Sequence, residues 1–204
     1  MKSFIRYNIF IILIIVLTPR LFYGENSSKI RRSEIQEYEV ISALISSYLG
    51  NDFGLIIINE RTEAWCIGAQ LQRLREECKK IKHETIDSLI IRNSLSVKLQ
   101  KKLSLNTNYI LISRDKYIEI LQDSIIPDWD NFDRIFPDSP GFLTVSRVGF
   151  DTNYSQALIY FCNAYRCSDN RIIPKSRNIA FFIKKDDKWV LEGIKKGFYS
   201  IYDH

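Results

Sequence analysis

The tract QALIYFCN, residues 156 to 163, constrains the fold most, because both of its alternating faces are apolar: Leu158, Tyr160 and Cys162 on one, Ala157, Ile159 and Phe161 on the other. Successive side chains of a strand point to opposite sides of its sheet, so such a strand is central and covered on both faces. Three more strand-like runs accompany it: Phe142 to Phe150, Ile179 to Lys184 and Trp189 to Ile194. Turn-forming DTNYS, a longer loop and KDDK separate them, the punctuation of an antiparallel meander.

Upstream the pattern is mainly helical. Ile35, Tyr38, Ile41, Ile45 and Tyr48 recur at helical spacing behind a Ser33/Gln36 capping box, and Gly50 ends the run. Residues 69 to 82 and 85 to 100 have helical character, with Thr85 an N-cap for the second; Arg114 to Leu121 reads as a short helix. GLIIIN (54 to 59) and YILIS (109 to 113) read as short strands. The expectation is an α+β fold, with N-terminal helices packed on a C-terminal antiparallel β-meander and the Ser33 helix covering one sheet face.

SRVGFDTNYSQALIYF, the two-cysteine loop after it and FFIKKDDKWVLEGI resemble a set of uncharacterised exported bacterial proteins. That set carries Ser-Arg-Val-Gly-Phe, a Gln-Ala-Leu-Val-Tyr-like strand and a Lys-x-x-Gly-x-Trp hairpin in its C-terminal part. The likeness spans about residues 137 to 194 and departs at CNAYRCSDNRIIPKSRN, which lacks the expected glycines, and at Asp187, where glycine is usual. The resemblance implies a bacterial exported domain and no particular chemistry.

The N-terminus agrees with export. Lys2 and Arg6 precede an unbroken apolar run from Ile9 to Leu17, the order of a secretory signal peptide. As a helix that run is about 14 Å long, against about 30 Å of hydrocarbon, too short to span a membrane alone. The chain therefore reads as a signal peptide at 1–24, a flexible segment at 25–32 and a single domain at 33–204. An uncleaved signal serving as an anchor is the alternative, and the only route to a membrane. Cleavage takes Lys2, Arg6 and Arg20, three of 29 basic residues and none of 24 acidic, leaving 26 against 24. The net charge falls from +5 to +2, which gives no reason to expect nucleic acid as a partner. The run Arg73, Arg75, Lys79, Lys80 and Lys82, interrupted by Glu76 and Glu77, reads as a solvated helix face.

Four cysteines in an exported chain suit disulfides. Local pairings, Cys66 with Cys78 and Cys162 with Cys167, each close a short loop and are favoured among the three arrangements four cysteines allow. A metal is not expected, because His83 and His204 are the only histidines and neither cysteine pair has C-x-x-C spacing. Asp128, Asp130 and Asp133 begin like a calcium loop, but Asp133 stands where glycine is required and Ser139 where glutamate belongs. No motif calls for a cofactor.

In a continuous strand from Phe142, Arg147 would share a face with Leu143, Val145 and Gly149, and a buried guanidinium needs a carboxylate. Glu60 and Glu84 are the candidate partners for an ion pair or an anion site. Gly149 reads as a bulge or as a surface under a large residue. Two function classes follow. The first is a non-catalytic exported module that binds an unknown protein or envelope component through the loop 163–178, which carries Arg166, Arg171, Lys175 and Arg177. The second is a hydrolase of an envelope polymer, using Glu60 or Glu84 with Arg147 as electrostatic support.

Overall fold

The computed structural model describes residues 31–50, 53–64, 74–76, 78–121, 128–164 and 176–196. The expected signal peptide, residues 1–24, and residues 25–30 lie outside this set. Helix α1 covers residues 31–48, so residues 31 and 32 are helical rather than flexible and Ser33 is not the N-cap. Gly50, with φ +76°, follows its end. The chain divides into two parts between Glu37 and Tyr38, and the sheet and the cores described below belong to the second. Among the described residues no helix is long and apolar enough to cross a membrane.

The strands are β1 (Leu55–Asn59), β2 (Asn108–Ile112), β3 (Phe142–Val145), β4 (Gly149–Phe150), β5 (Gln156–Ala164), β6 (Ser176–Lys185) and β7 (Lys188–Lys196); the helices after α1 are α2 (His83–Arg92), α3 (Arg114–Ile120) and α4 (Trp129–Ile135). N-terminal helices on a C-terminal meander are not what forms. One mixed sheet draws strands from both halves in the order β2-β1-β3-β5-β6-β7, with β4 also pairing β5. β1 lies parallel to β2 and to β3, with Ile57 opposite both Ile110 and Phe142. Only β3 to β7 are joined in antiparallel fashion. The physical reason is that LIIIN is apolar on both faces and gains most from a covered interior position, which β2 and β3 supply.

β5 is central, as its composition requires. Ala157, Ile159 and Phe161 face a core that includes Val40, Ile41, Leu44 and Ile45 of α1, together with Ile56, Ile58, Leu143, Val145 and Phe182. Leu158 and Tyr160 face the other side, against Ile86 and Leu89 of α2 and Ile179. Further along that side, Tyr117, Ile120, Trp129 and Phe132 of α3 and α4 cover Ile57, Phe142 and Ala164. The sheet thus has helices on both faces, each fully buried large side chain contributing about 1.5–3 kcal/mol.

Several boundaries differ from expectation. α2 begins at His83 with Lys82 as N-cap, leaving Thr85 inside the helix, and ends at Asn93 rather than near residue 100. The DWDNFD aspartates start α4, where Asp128 caps the helix by accepting from Asn131 N–H at 2.9 Å. β6 and β7 meet in a two-residue turn at Asp186 and Asp187, φ +48° and +59°, values that mark a type I′ hairpin. Between Phe181↔Gly193 and Phe182↔Leu191 the register shifts, so Glu192 is an extra residue on β7, one of the two edge strands among the described residues.

Candidate functional site

The tract from Ser146 to Phe150 is not a straight strand. Val145 pairs with Phe161 and Gly149 with Leu158, so four steps on one strand match three on the other: a bulge. The inserted residue changes the faces. Val148 and Phe150 join Leu143 and Val145 in the α1 core, while Gly149 turns toward α2. The shared face expected for Arg147, Leu143, Val145 and Gly149 is therefore overturned.

Each residue of the bulge has a structural task. Ser146 Oγ accepts from Tyr160 N–H at 3.0 Å and donates to Arg147 C=O at 2.8 Å, patching the interrupted ladder. Arg147 is half-buried, and its backbone is read by Asn93: Arg147 N–H donates to Oδ1 at 2.8 Å, and Nδ2 donates to Arg147 C=O at 3.0 Å. Phe150 N–H donates to Ser88 Oγ at 3.1 Å. At Gly149 an added Cβ would meet Leu89 N at 2.4 Å. The backbone of a helix, rather than a large side chain, lies over this glycine.

The two candidate carboxylates engage different neighbours. Glu60 Oε2 lies 3.1 Å from Lys98 Nζ, on a ribbon in which Thr62 N–H donates to Val97 C=O and Leu99 N–H to Glu60 C=O. Glu84 Oε2 accepts from Thr152 N–H at 3.2 Å and from its hydroxyl at 2.9 Å. Glu84 lies in the first turn of α2 and Asn93, which holds the Arg147 backbone, is its C-cap, about 14 Å apart at ~1.5 Å per residue. The cleft described below is lined by none of Arg147, Glu60 and Glu84.

Asp151, which the sequence reading passed over, organises the next turn. It is 1% exposed. Oδ1 accepts from the N–H groups of Ser155 at 2.7 Å and Gln156 at 2.8 Å, and Oδ2 from Ser155 Oγ at 2.7 Å and Lys82 Nζ at 2.6 Å. Burial pushes the Asp151 carboxyl upward, but the bonds from Lys82, Gln156 and Ser155 outweigh it and hold the group below its ordinary value. The hydrogen bond to Asp151, opposed by partial burial, raises the Lys82 ammonium above its own. Gln156 completes the latch, since Lys82 N–H donates to its Oε1 at 2.9 Å and its Nε2 donates to Lys80 C=O at 2.9 Å.

This latch positions one wall of a cleft of about 560 Å³. The floor is Leu158 from β5 with Ile179 and Phe181 from β6; the wall is Leu74, Cys78 and Ile81; the far rim is the bulged part of β7, Glu192 to Lys195. Exposed Lys79 and Lys80 stand on the wall side. The run expected to be a merely solvated helix face is thus divided. Lys82 binds Asp151, Arg75 pairs with Asp87, and Lys79 and Lys80 line the cleft. A volume within the ~300–1,000 Å³ range of small-molecule sites and a largely apolar lining make this the candidate site. No family model, curated protein or solved structure matches the chain.

Among the described residues no cluster of metal-ligating side chains forms. Cys66 and Cys167 lie outside the described residues, and neither Cys78 nor Cys162 is in a disulfide in this structure. Cys78 contributes to the cleft wall, and Cys162 is buried in β5 opposite Arg177. Arg177 is therefore a strand residue of β6 and not part of a loop; Arg166, Arg171 and Lys175 lie outside the described residues. The signal that could have revealed the cleft was Gly193 in an otherwise bulky strand, beside the lysine pair at 79 and 80.

Proposed function

We propose that this protein is an exported, non-catalytic binding module whose ligand site is the cleft between residues 74–81 and the β6/β7 hairpin. The observation that carries the reading is the cleft itself, an apolar, ligand-sized recess held open by a latch anchored on a buried aspartate. Export rests on the basic and apolar order of the N-terminus and on the even number of cysteines. The natural partner is a component of the envelope. A hydrolase built on Glu60 or Glu84 with Arg147 draws no support from the placement of those residues, because the glutamates engage Lys98 and Thr152.

The test is recovery of the protein from an exporting bacterial host without reductant, followed by intact-mass and native mass spectrometry. The leader should be gone, the chain should weigh four hydrogens less than its reduced form, and a small molecule should accompany it, released when the cleft is filled by substitution. Retention in the cytoplasm with four free thiols overturns export. A cleft that carries and takes up no small molecule overturns the binding site.

A further inference from the structure

The cleft is asymmetric in a way that specifies its ligand. Its apolar lining includes Leu158, Ile179 and Phe181, none of which offers a side-chain hydrogen bond, while the exposed residues Lys79 and Lys80, and Lys195, also line it. Among the described lining residues the one carboxylate, Glu192, lies 2.8 Å from Lys185, so its charge is already met by a cation. A sugar would leave hydroxyls unmatched against the apolar floor, and a cation would face the lysines. Space is also reserved: a Cβ built on Gly193 meets no atom within 4 Å.

Resting on the binding-module reading, we infer that the cleft holds the chain of a fatty acid, with its carboxylate at Lys79 and Lys80. The tail replaces water over the floor, and each buried methylene adds about fourfold in affinity. The head gains from two flexible ammonium groups, each worth up to about fivefold at an exposed site.

The experiment is calorimetric titration of the full mature chain, disulfides intact, with laurate, decanoate and 1-dodecanol below their aggregation concentrations. Laurate should bind one to one and roughly fifteenfold more tightly than decanoate. Gly193→Leu fills the recess without a contact to disturb and should abolish binding while circular dichroism and melting stay unchanged. Lys79→Glu with Lys80→Glu should weaken laurate at least about tenfold and leave dodecanol unaffected. If dodecanol binds as well as laurate and the charge reversals change nothing, the fatty-acid assignment falls while the binding cleft stands. If no amphiphile binds, the assignment falls, and the separate recovery experiment decides whether another small molecule uses the cleft. Laurate binding that survives Gly193→Leu places the ligand elsewhere and overturns the assignment.

Discussion

Gly149 lies so close under Leu89 that a single added carbon would stand 2.6 Å from the Leu89 Cα, well inside van der Waals contact. The helix backbone rests on the strand backbone at this point, and Ser88 and Asn93 bond the strand on either side of it. Gly149→Ala must push α2 away from β4. It should cost about 1–3 kcal/mol and lower the melting temperature by several degrees. Thermal unfolding followed by circular dichroism checks this, and an unchanged melting point would contradict the close approach.

Asn93 is the second anchor of the same contact. Asn93→Leu keeps the branching of the side chain but strands the N–H and C=O of Arg147, so we expect a loss of about 1–3 kcal/mol by denaturant titration. Arg147→Met leaves those backbone groups intact and should cost less. The reverse order would return Arg147 to the role of a key buried ion.

Asp151 gives the fold an acid-sensitive joint. Its carboxyl titrates lower in the folded chain than in the unfolded one. Its contribution is therefore complete above about pH 4 and is lost as pH falls through the folded value. Asp151→Asn should be less stable than the parent at pH 7, and its stability should fall less between pH 5 and pH 3. Denaturant midpoints across that interval provide the measurement; parallel curves for the two proteins would refute the assignment.

The β6/β7 turn is built from two aspartates in a left-handed conformation, where glycine carries no steric cost. Asp187→Gly should stabilise by roughly 1 kcal/mol. The ion contact it removes, Lys184 to a fully exposed Asp187 at 3.8 Å, is too loose to offset that gain. A lower denaturant midpoint in the variant would disprove the I′ geometry.

Periodicity in the sequence revealed the elements better than their partners. The double apolar face of residues 156 to 163 correctly placed β5 at the centre, and LIIIN and YILIS are strands. Their parallel alignment with each other and with β3 was not legible, because pairing joins residues about fifty to eighty-five positions apart and leaves no local mark. Gly149 marked a bulge in the sequence, but the bulge's effect on the face of Arg147 was hidden for a different reason. One inserted residue inverts which side chains share a face, while the composition remains that of an ordinary strand. Asn93 and Asp151 escaped notice because polar residues in turns usually face water; here they bond backbone that the sheet leaves over. For the cleft, only Gly193 and the two lysines were visible in advance, and nothing local to them indicates that they converge.

The displaced register at Glu192 and the lysines at 188, 195 and 196 also bear on how copies of this chain behave when crowded. A neighbour attempting to zip along β7 would meet its hydrogen-bonding rhythm broken midway and like charges at both ends. Recruitment into a stacked amyloid-like assembly is thereby discouraged at this edge of the sheet. The irregularity beside the recess also serves as a guard against self-templating.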